Sequence, residues 1–310
     1  MSIDLATATS TAADEPIVTE HAPARTVSAG AGAPPRATRR ATVLSSAGTV
    51  VLLALVVLLA LVVAAPQWLA PYPPLAADPT AALQPPSAAH LLGTDPIGRD
   101  VLSRILYGAR YSLSIGVGAT LIGAVTGLIL GTIAGLSPRV VDEIVVRFLD
   151  VINAVPEILL ALVVIAVIGP GPVNIILAIG VASIPRFARV VRVQVLSLQH
   201  SGWVELALTQ GLSYPRRIVK HIIPNTVGPV VVLATIGTGT AILNAAGLSF
   251  LGLGPQPPAP EWGAILAESR DYFHLGWWVA VFPGLAVLST VCLITVVGRR
   301  LQRRFEGRVE

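Results

Sequence analysis

A chain of 310 residues that is 54% hydrophobic and 12% charged, with mean hydropathy +0.75, is not an ordinary soluble domain, since those run nearer a quarter charged. Its formal charge of +4 and pI near 9.7 do not indicate nucleic acid, because the basic residues gather at the ends of apolar runs, where they mark membrane topology. Its single cysteine, Cys292, excludes an internal disulfide and, lying in an apolar run, is expected to be a buried and inert thiol.

Residues 1–42 are rich in Ala, Thr, Pro and Ser without apolar periodicity, and read as a disordered tail. Arg36, Arg39 and Arg40 precede an uncharged run, Val43 to Ala65 (43–65), expected to be a first transmembrane helix rather than a cleaved signal, whose apolar core is shorter. Residues 66–106 are Pro-rich and then polar, and include H-L-L-G-T-D-P-I-G-R-D from His90 to Asp100. Further spans are expected at Tyr111–Leu136, Ile144–Ile168, Val173–Leu196, Thr226–Leu251 and Trp277–Gly298, each long enough for ~30 Å of hydrocarbon. Trp68, Trp262, Trp277 and Trp278 fall where membrane interfaces are expected. With the N-terminus inside, only Arg99, Arg104, Arg110 and Arg270 of the 21 basic residues lie outside, which places both termini in the cytoplasm. The expectation is an all-α polytopic protein of six transmembrane helices: one N-terminal helix, then a core at 107–300, closed by a basic cytoplasmic tail at 301–310.

A polar island, 201–225, interrupts the apolar pattern on the inner side. Ser201 is a candidate N-cap with Glu205 in the first turn; Trp203, Leu206 and Ala207 share a face; Gly211 suits a helix stop. Ser213 and Pro215 suit the start of a second short helix, which Pro224 would close. Such a pair makes either a compact knob for a partner or an amphipathic loop on the headgroups.

Other candidates carry two readings each. Thr235, Thr238, Thr240 and Asn244, with Gly237 and Gly239, suit either helix packing or a polar pathway. Asp150 and Glu157 open the third span, as interface anchors or as a pathway or gate, with Glu157 the better pathway candidate. Arg186, Arg189 and Arg192 share a helix face, as inside-positive anchors or substrate contacts. Gly93-Thr94-Asp95 and Gly98-Arg99-Asp100 read as capped turns.

No catalytic or nucleotide-binding constellation is present in the sequence. The only lysine, Lys220, follows no G-x-x-x-x-G, so this chain is not itself an ATPase. There is no H-E-x-x-H, C-x-x-C or G-x-S-x-G, and His21, His90, His200, His221 and His274 form no helical i, i+4 pair for a metal. An intramembrane enzyme thus lacks a nucleophile–base pair.

Glu205, Ala207, Gly211 and H-I-I-P at 221–224 resemble the E-A-A…G…I-L-P loop of ABC importer permeases, with Leu206 in place of the usual small residue. The resemblance implies that 201–224 are cytoplasmic coupling helices, with Glu205, Leu206, Ala207, Gly211, His221 and Pro224 meeting an ATPase. L-L-G-T-D-P-I-G-R-D-V-L-S-R-I-L-Y-G-A-R-Y-S-L (91–113), G-P-G-P-V-N (169–174), A-I-L-N-A-A-G-L-S-F-L-G-L-G (241–254) and P-Q-P-P-A-P-E-W-G-A-I-L (255–266) are similar to the second permease of dipeptide, oligopeptide and nickel importers. This implies short peptides as cargo, with a nickel chelate or haem as alternatives, and a stand-alone channel or scaffold as a different class.

The implied partners are a second, homologous permease, two ABC ATPase domains that bind ATP and Mg, and an external substrate-binding protein, either free or a lipoprotein. No cofactor is implied in this chain, no nucleic acid among its partners, and the implied location is the bacterial cytoplasmic membrane. It also implies external docking near Asp95, Arg99, Asp100, Glu261 and Trp262, and a pathway near Glu157, Thr235, Thr238 and Asn244. The chain departs from the family in three ways: a neutral Asn244 where many relatives are acidic, the basic ending G-R-R-L-Q-R-R-F-E-G-R, and a longer N-terminal tail.

Overall fold

The computed structural model describes residues 37–199, 201–202 and 212–306, with side chains from 48 to 305. Contacts divide the chain into Met1–Ser46 and Ala47–Glu310. Of the first unit only the beginning of helix α1 (Ala37–Ala64) is described; everything below concerns the second. Helicity therefore starts inside the tail expected at 1–42, and 1–36 lie outside the described residues.

The described residues form helices and loops with one isolated β-bridge, Thr94 to Asp100. In hydrocarbon no water pairs with a free N–H or C=O, so an apolar segment satisfies its backbone within a helix. After α1 come α2 (Val101–Leu136), α3 (Arg139–Asn153), α4 (Glu157–Ile168), α5 (Pro172–Gln199), α6 (Tyr214–Phe250), α7 (Trp262–Glu268) and α8 (Trp278–Glu306). Among the described residues, α2, α5, α6 and α8 are long and apolar enough to cross a membrane, and α3 with α4 makes a fifth if that bent pair is one span. Of α1, the part whose side chains are described, Gly48–Ala64, is an apolar helix of about 25 Å at 1.5 Å per residue.

The third expected span, Ile144–Ile168, is not one rod. Its two halves meet at 85°. Pro156 is the cause: it lacks the N–H a continuing helix needs and drives Val155 out of the helical region. Hydropathy alone runs smoothly across this break.

The core is α2 against α5. Gly123, Gly127, Gly131 and Gly135 recur every fourth residue, so they line one stripe of α2. A Cβ on each would run into α5: on Ser183 or Phe187 for the first two, on the Ala188 carbonyl and Val191 for Gly131, and 2.7 Å from Val195 Cγ1 for Gly135. Small residues allow this backbone approach, and dispersion contacts then replace lipid contacts that are no less apolar. Around this pair, Ile115 and Ala119 of α2, Ala161 and Ile165 of α4, Ile175 and Ile179 of α5, and Ala241 and Leu248 of α6 make a buried cluster. α6 packs on α8 through Gly239, facing Val291 and Thr295, and through Gly298, facing Ile236 and Thr235.

Pro224 does not close a short helix. The backbone passes through a π turn, Ile218–Ile222, into the rest of α6. A π turn shifts the hydrogen-bond register by one residue, and Pro224 lies in the first turn after it, where a missing N–H is tolerated. Ser213 occupies the N-cap position of α6 without a side-chain cap bond. Cys292 is exposed on α8 rather than buried. Of the tryptophans expected at interfaces, Trp68 and Trp277 are exposed, but Trp262 and Trp278 are internal.

Candidate functional site

Three places hold the candidate residues. The first is the polar segment before α2, folded over the beginning of that helix. Gly98, at φ +79, adopts a left-handed turn in which a Cβ would strike the Asp78 carbonyl. The Asp78 carboxyl itself sits below its ordinary pKa because the Thr80 hydroxyl and amide donate to it.

Asp95 accepts from the amides of Ile97 and Arg99 through Oδ1, and from Arg99 Nε at 2.5 Å and Arg104 Nη1 at 2.8 Å through Oδ2. Both arginines also reach Glu268 Oε2 at the end of α7, at 2.7 and 2.8 Å. Two carboxylates thus balance two guanidiniums, and Arg104 is only 1% exposed. Ion pairs this dry require such pairing, because one partner alone would be an uncompensated buried charge. Asp100 caps α2 by accepting from the Ser103 amide and hydroxyl, and holds His90 Nδ1 at 2.9 Å. Glu261 caps α7 through the amides of Gly263 and Ala264 and accepts from Ser112. Trp262 Nε1 donates to the Ile105 carbonyl.

All five residues expected at a docking surface, Asp95, Arg99, Asp100, Glu261 and Trp262, are therefore buried. They build the outer segment. Their side chains are not presented to a partner, which would meet the surface around them.

The second place is the far end of α2, around the 201–225 island. Of the coupling candidates, Glu205, Leu206, Ala207 and Gly211, as well as Trp203, lie outside the described residues. His221 falls in the π turn, where its carbonyl accepts from Asn225, and Pro224 follows it. The anchoring of the island was not anticipated from the sequence. Gln199 Nε2 donates to the Gly135 carbonyl at 2.5 Å and the Tyr214 hydroxyl to the Leu136 carbonyl at 3.0 Å. These are orphan carbonyls at the end of α2. Gln199, the last residue of α5 before the island, and Tyr214 within it are thus tied to one helix of 36 residues, about 54 Å long, whose other end holds the ion-pair cluster.

The third place is the elbow between α3 and α4. Asn153, Val155 and Glu157 face Ala182, Arg186 and Arg189 of α5 across a cavity of about 350 Å³. Two of the three arginines on this α5 face are paired to α3: Arg192 bidentate to Asp142 at 2.5 Å, and Arg189 to Asp150 at 2.7 Å. Arg186 has no carboxylate partner among the described residues. Its guanidinium lies 5.4 Å from the Phe187 ring centre, and its Nε is buried without a hydrogen bond. Gly237 of α6 leaves room for it, since a Cβ there would lie 3.0 Å from Nη2.

The structure thus brings Glu157 and Arg186 to one cavity. The α6 candidates do not line it. Thr235 and Thr238 donate back to the carbonyls of Val231 and Ala234, and Asn244 is half-buried.

Residues 127–310 match the family of binding-protein-dependent transport system inner membrane components. The chain is 39% identical over 249 residues, 78% of its length and 82% of the relative's, to the di/tripeptide transport system permease protein DppC of Pseudomonas aeruginosa. It is 42% identical over 225 residues, 73% of its length and 75% of the relative's, to the glutathione transport system permease protein GsiD of Pectobacterium atrosepticum. Among solved structures, an inward-facing MetNI methionine ABC transporter superposes with a TM-score of 0.53 over 65% of this chain and 95% of that one, at 19% identity. That likeness is one of fold.

Proposed function

The chain belongs to the family of binding-protein-dependent transport system inner membrane components, and from that premise we propose that it is a permease of an ATP-driven importer of short peptides. It is an all-helical, multi-pass protein of the bacterial inner membrane and a transport subunit. The observation that carries the peptide reading is identity of about two residues in five, across three quarters of the chain, to relatives named for di/tripeptides and glutathione.

In this reading a second, homologous permease lies beside the chain, and the pathway runs between the two. Two ABC ATPase domains hold ATP and Mg on the inner side, and an external binding protein delivers cargo. No cofactor belongs to this chain. The 201–224 island fits the ATPases through Glu205, Leu206, Ala207, Gly211, His221 and Pro224. The tie of Tyr214 to the end of α2, beside that of Gln199 at the end of α5, supports the assignment, because a push on the island is delivered to a long, rigid helix. Rigid-body motion of the bundle then alternates the openings. Glu157 lines the pathway, with Thr235, Thr238 and Asn244 on α6.

The cargo is tested by deleting the gene. Growth on di- to pentapeptides as sole amino-acid source is expected to fail, while nickel and haem uptake persist. Intact peptide growth with lost nickel or haem uptake would transfer the permease to that cargo.

Six spans with both termini cytoplasmic follow from the distribution of arginine and lysine. Ser87 and Ser213 are both exposed. After removal of Cys292, a cysteine at Ser87 is expected to react with an impermeant thiol reagent in intact cells, and one at Ser213 is not. The opposite pattern reverses the orientation.

A further inference from the structure

We propose that the elbow cavity is a subsite for the two charged ends of a short peptide, with Arg186 taking the carboxylate and Glu157 with Asn153 taking the ammonium group. This rests on the peptide reading above and goes beyond it by naming the groups in this chain that meet the cargo.

The argument begins with depth. Arg186 stands near the middle of α5 (Pro172–Gln199), and it faces Gly237, near the middle of α6 (Tyr214–Phe250). A guanidinium midway along two spanning helices lies well inside the bilayer, where a charge is costly and needs a reason. Anchoring is served by Arg189 and Arg192, three and six residues further along α5 and each neutralised by a carboxylate of α3. Arg186 breaks this pattern. It has neither Asp nor Glu within ion-pair distance among the described residues, and its Nε is buried without an acceptor. The fold also makes space for it: Gly237 leaves out the side chain that would crowd Nη2.

Opposite Arg186, the same cavity is lined by Glu157, the first residue of α4, and Asn153, the last of α3. Glu157 also forms no ion pair among the described residues. The cavity thus presents a cation and an anion that share it without satisfying each other. Its volume, about 350 Å³, is within the range of small-molecule sites, about 300–1,000 Å³. A zwitterion fits this arrangement and a simple ion does not. A carboxylate matches the planar donor fork of arginine, and an ammonium group matches a carboxylate and an amide oxygen. Val155, Ala182 and Arg189, the last already neutralised by Asp150, complete the wall, and the first two offer no polar group that would select among side chains. Recognition of the termini alone suits cargo of varied composition.

The test uses the assembled complex of permeases and ATPases in nanodiscs, without the binding protein, so that only the membrane subunits select. Saturation-transfer NMR is recorded with Ala-Ala, its C-terminal amide and its N-acetyl derivative. In the wild type Ala-Ala is expected to bind at least about tenfold more tightly than either derivative, the weight of one charge-assisted contact. Arg186→Gln is expected to remove the preference for the free carboxylate and leave binding of the amide unchanged. Glu157→Gln is expected to remove the preference for the free amine. Arg186→Lys keeps the charge but not the planar fork, and is expected to bind Ala-Ala more weakly than the wild type while still preferring it to the amide.

Equal binding of Ala-Ala and its amide by the wild type, which needs no variant, overturns the proposal. So does an Arg186→Gln complex that binds all three ligands as the wild type does, or loses all three alike. Peptide-dependent growth is read separately in the gene deletion. Growth that requires the gene, together with a wild-type complex indifferent to the termini, sinks this subsite and leaves the importer standing.

Discussion

Replacing Gly211 with a bulky residue, or Glu205 with Lys, is expected to reduce peptide uptake to background while the protein still inserts in the membrane. Both residues fall in the island proposed to meet the ATPase. A glycine turn allows close approach of another backbone, and a side chain there forces the surfaces apart. Reversing the charge at Glu205 places a cation where the resemblance implies a carboxylate at a helix start, and sets it against the positive helix end. Abundance is read by immunoblot of membranes, and coupling by ATP hydrolysis in the presence of loaded binding protein. Wild-type, transport-coupled hydrolysis in both variants contradicts the assignment of the island.

The second large effect is expected inside the bundle. Gly131→Leu is expected to prevent accumulation of the folded permease. A Cβ at this position already meets the carbonyl of Ala188 and the side chain of Val191. Overpacking a core costs about 1–3 kcal/mol when side chains can yield, and here a backbone oxygen cannot. Gly247→Ala on α6 is the matched control, because a Cβ there meets nothing within 4 Å. Membrane abundance and thermal stability of the solubilised protein distinguish the two. A Gly131→Leu permease that is as abundant and as heat-stable as the control contradicts the packing of α2 on α5.

Much of this arrangement was legible in the residues. Long apolar runs gave the helices because lipid leaves the backbone no other solution, and α5 agrees with its expected span to within a turn. The boundaries of α2, α6 and α8 were not so legible. Each helix continues past the hydrocarbon: α2 starts at Val101, ten residues before the expected Tyr111, with Asp100 as its cap. Hydropathy registers only the lipid-facing part, and Arg104 and Arg110 look like loop residues until Asp95, Glu268 and the carbonyls of Val63 and Ala64 are seen to hold them.

The elbow was written plainly in Pro156, yet the apolar residues on either side concealed it. Pro224 misled in the opposite direction, since a π turn absorbs it. The four-residue spacing of Gly123, Gly127, Gly131 and Gly135 was a readable signal of helix contact, and it is what locates the core. Asp95 and Arg99 are of types that favour water, and Trp262 was expected at a membrane interface. Only the pairing of distant segments, such as Arg99 with Glu268 or Trp262 with Ile105, shows them to be internal. The same holds for Arg186: three arginines on one face are indistinguishable until Asp142 and Asp150 pair with two of them.

The central claim, that this chain is a permease through which short peptides are driven inward by ATP, is tested most directly in proteoliposomes. The four-part membrane complex is reconstituted with its binding protein on one side and ATP with Mg on the other, and labelled dipeptide is followed across the bilayer. The account predicts accumulation against a gradient that requires ATP, requires the binding protein and ceases when this chain carries a bulky residue at Gly211. Dipeptide movement that proceeds equally without ATP, or no movement while the same complex carries a nickel chelate or haem, would contradict it.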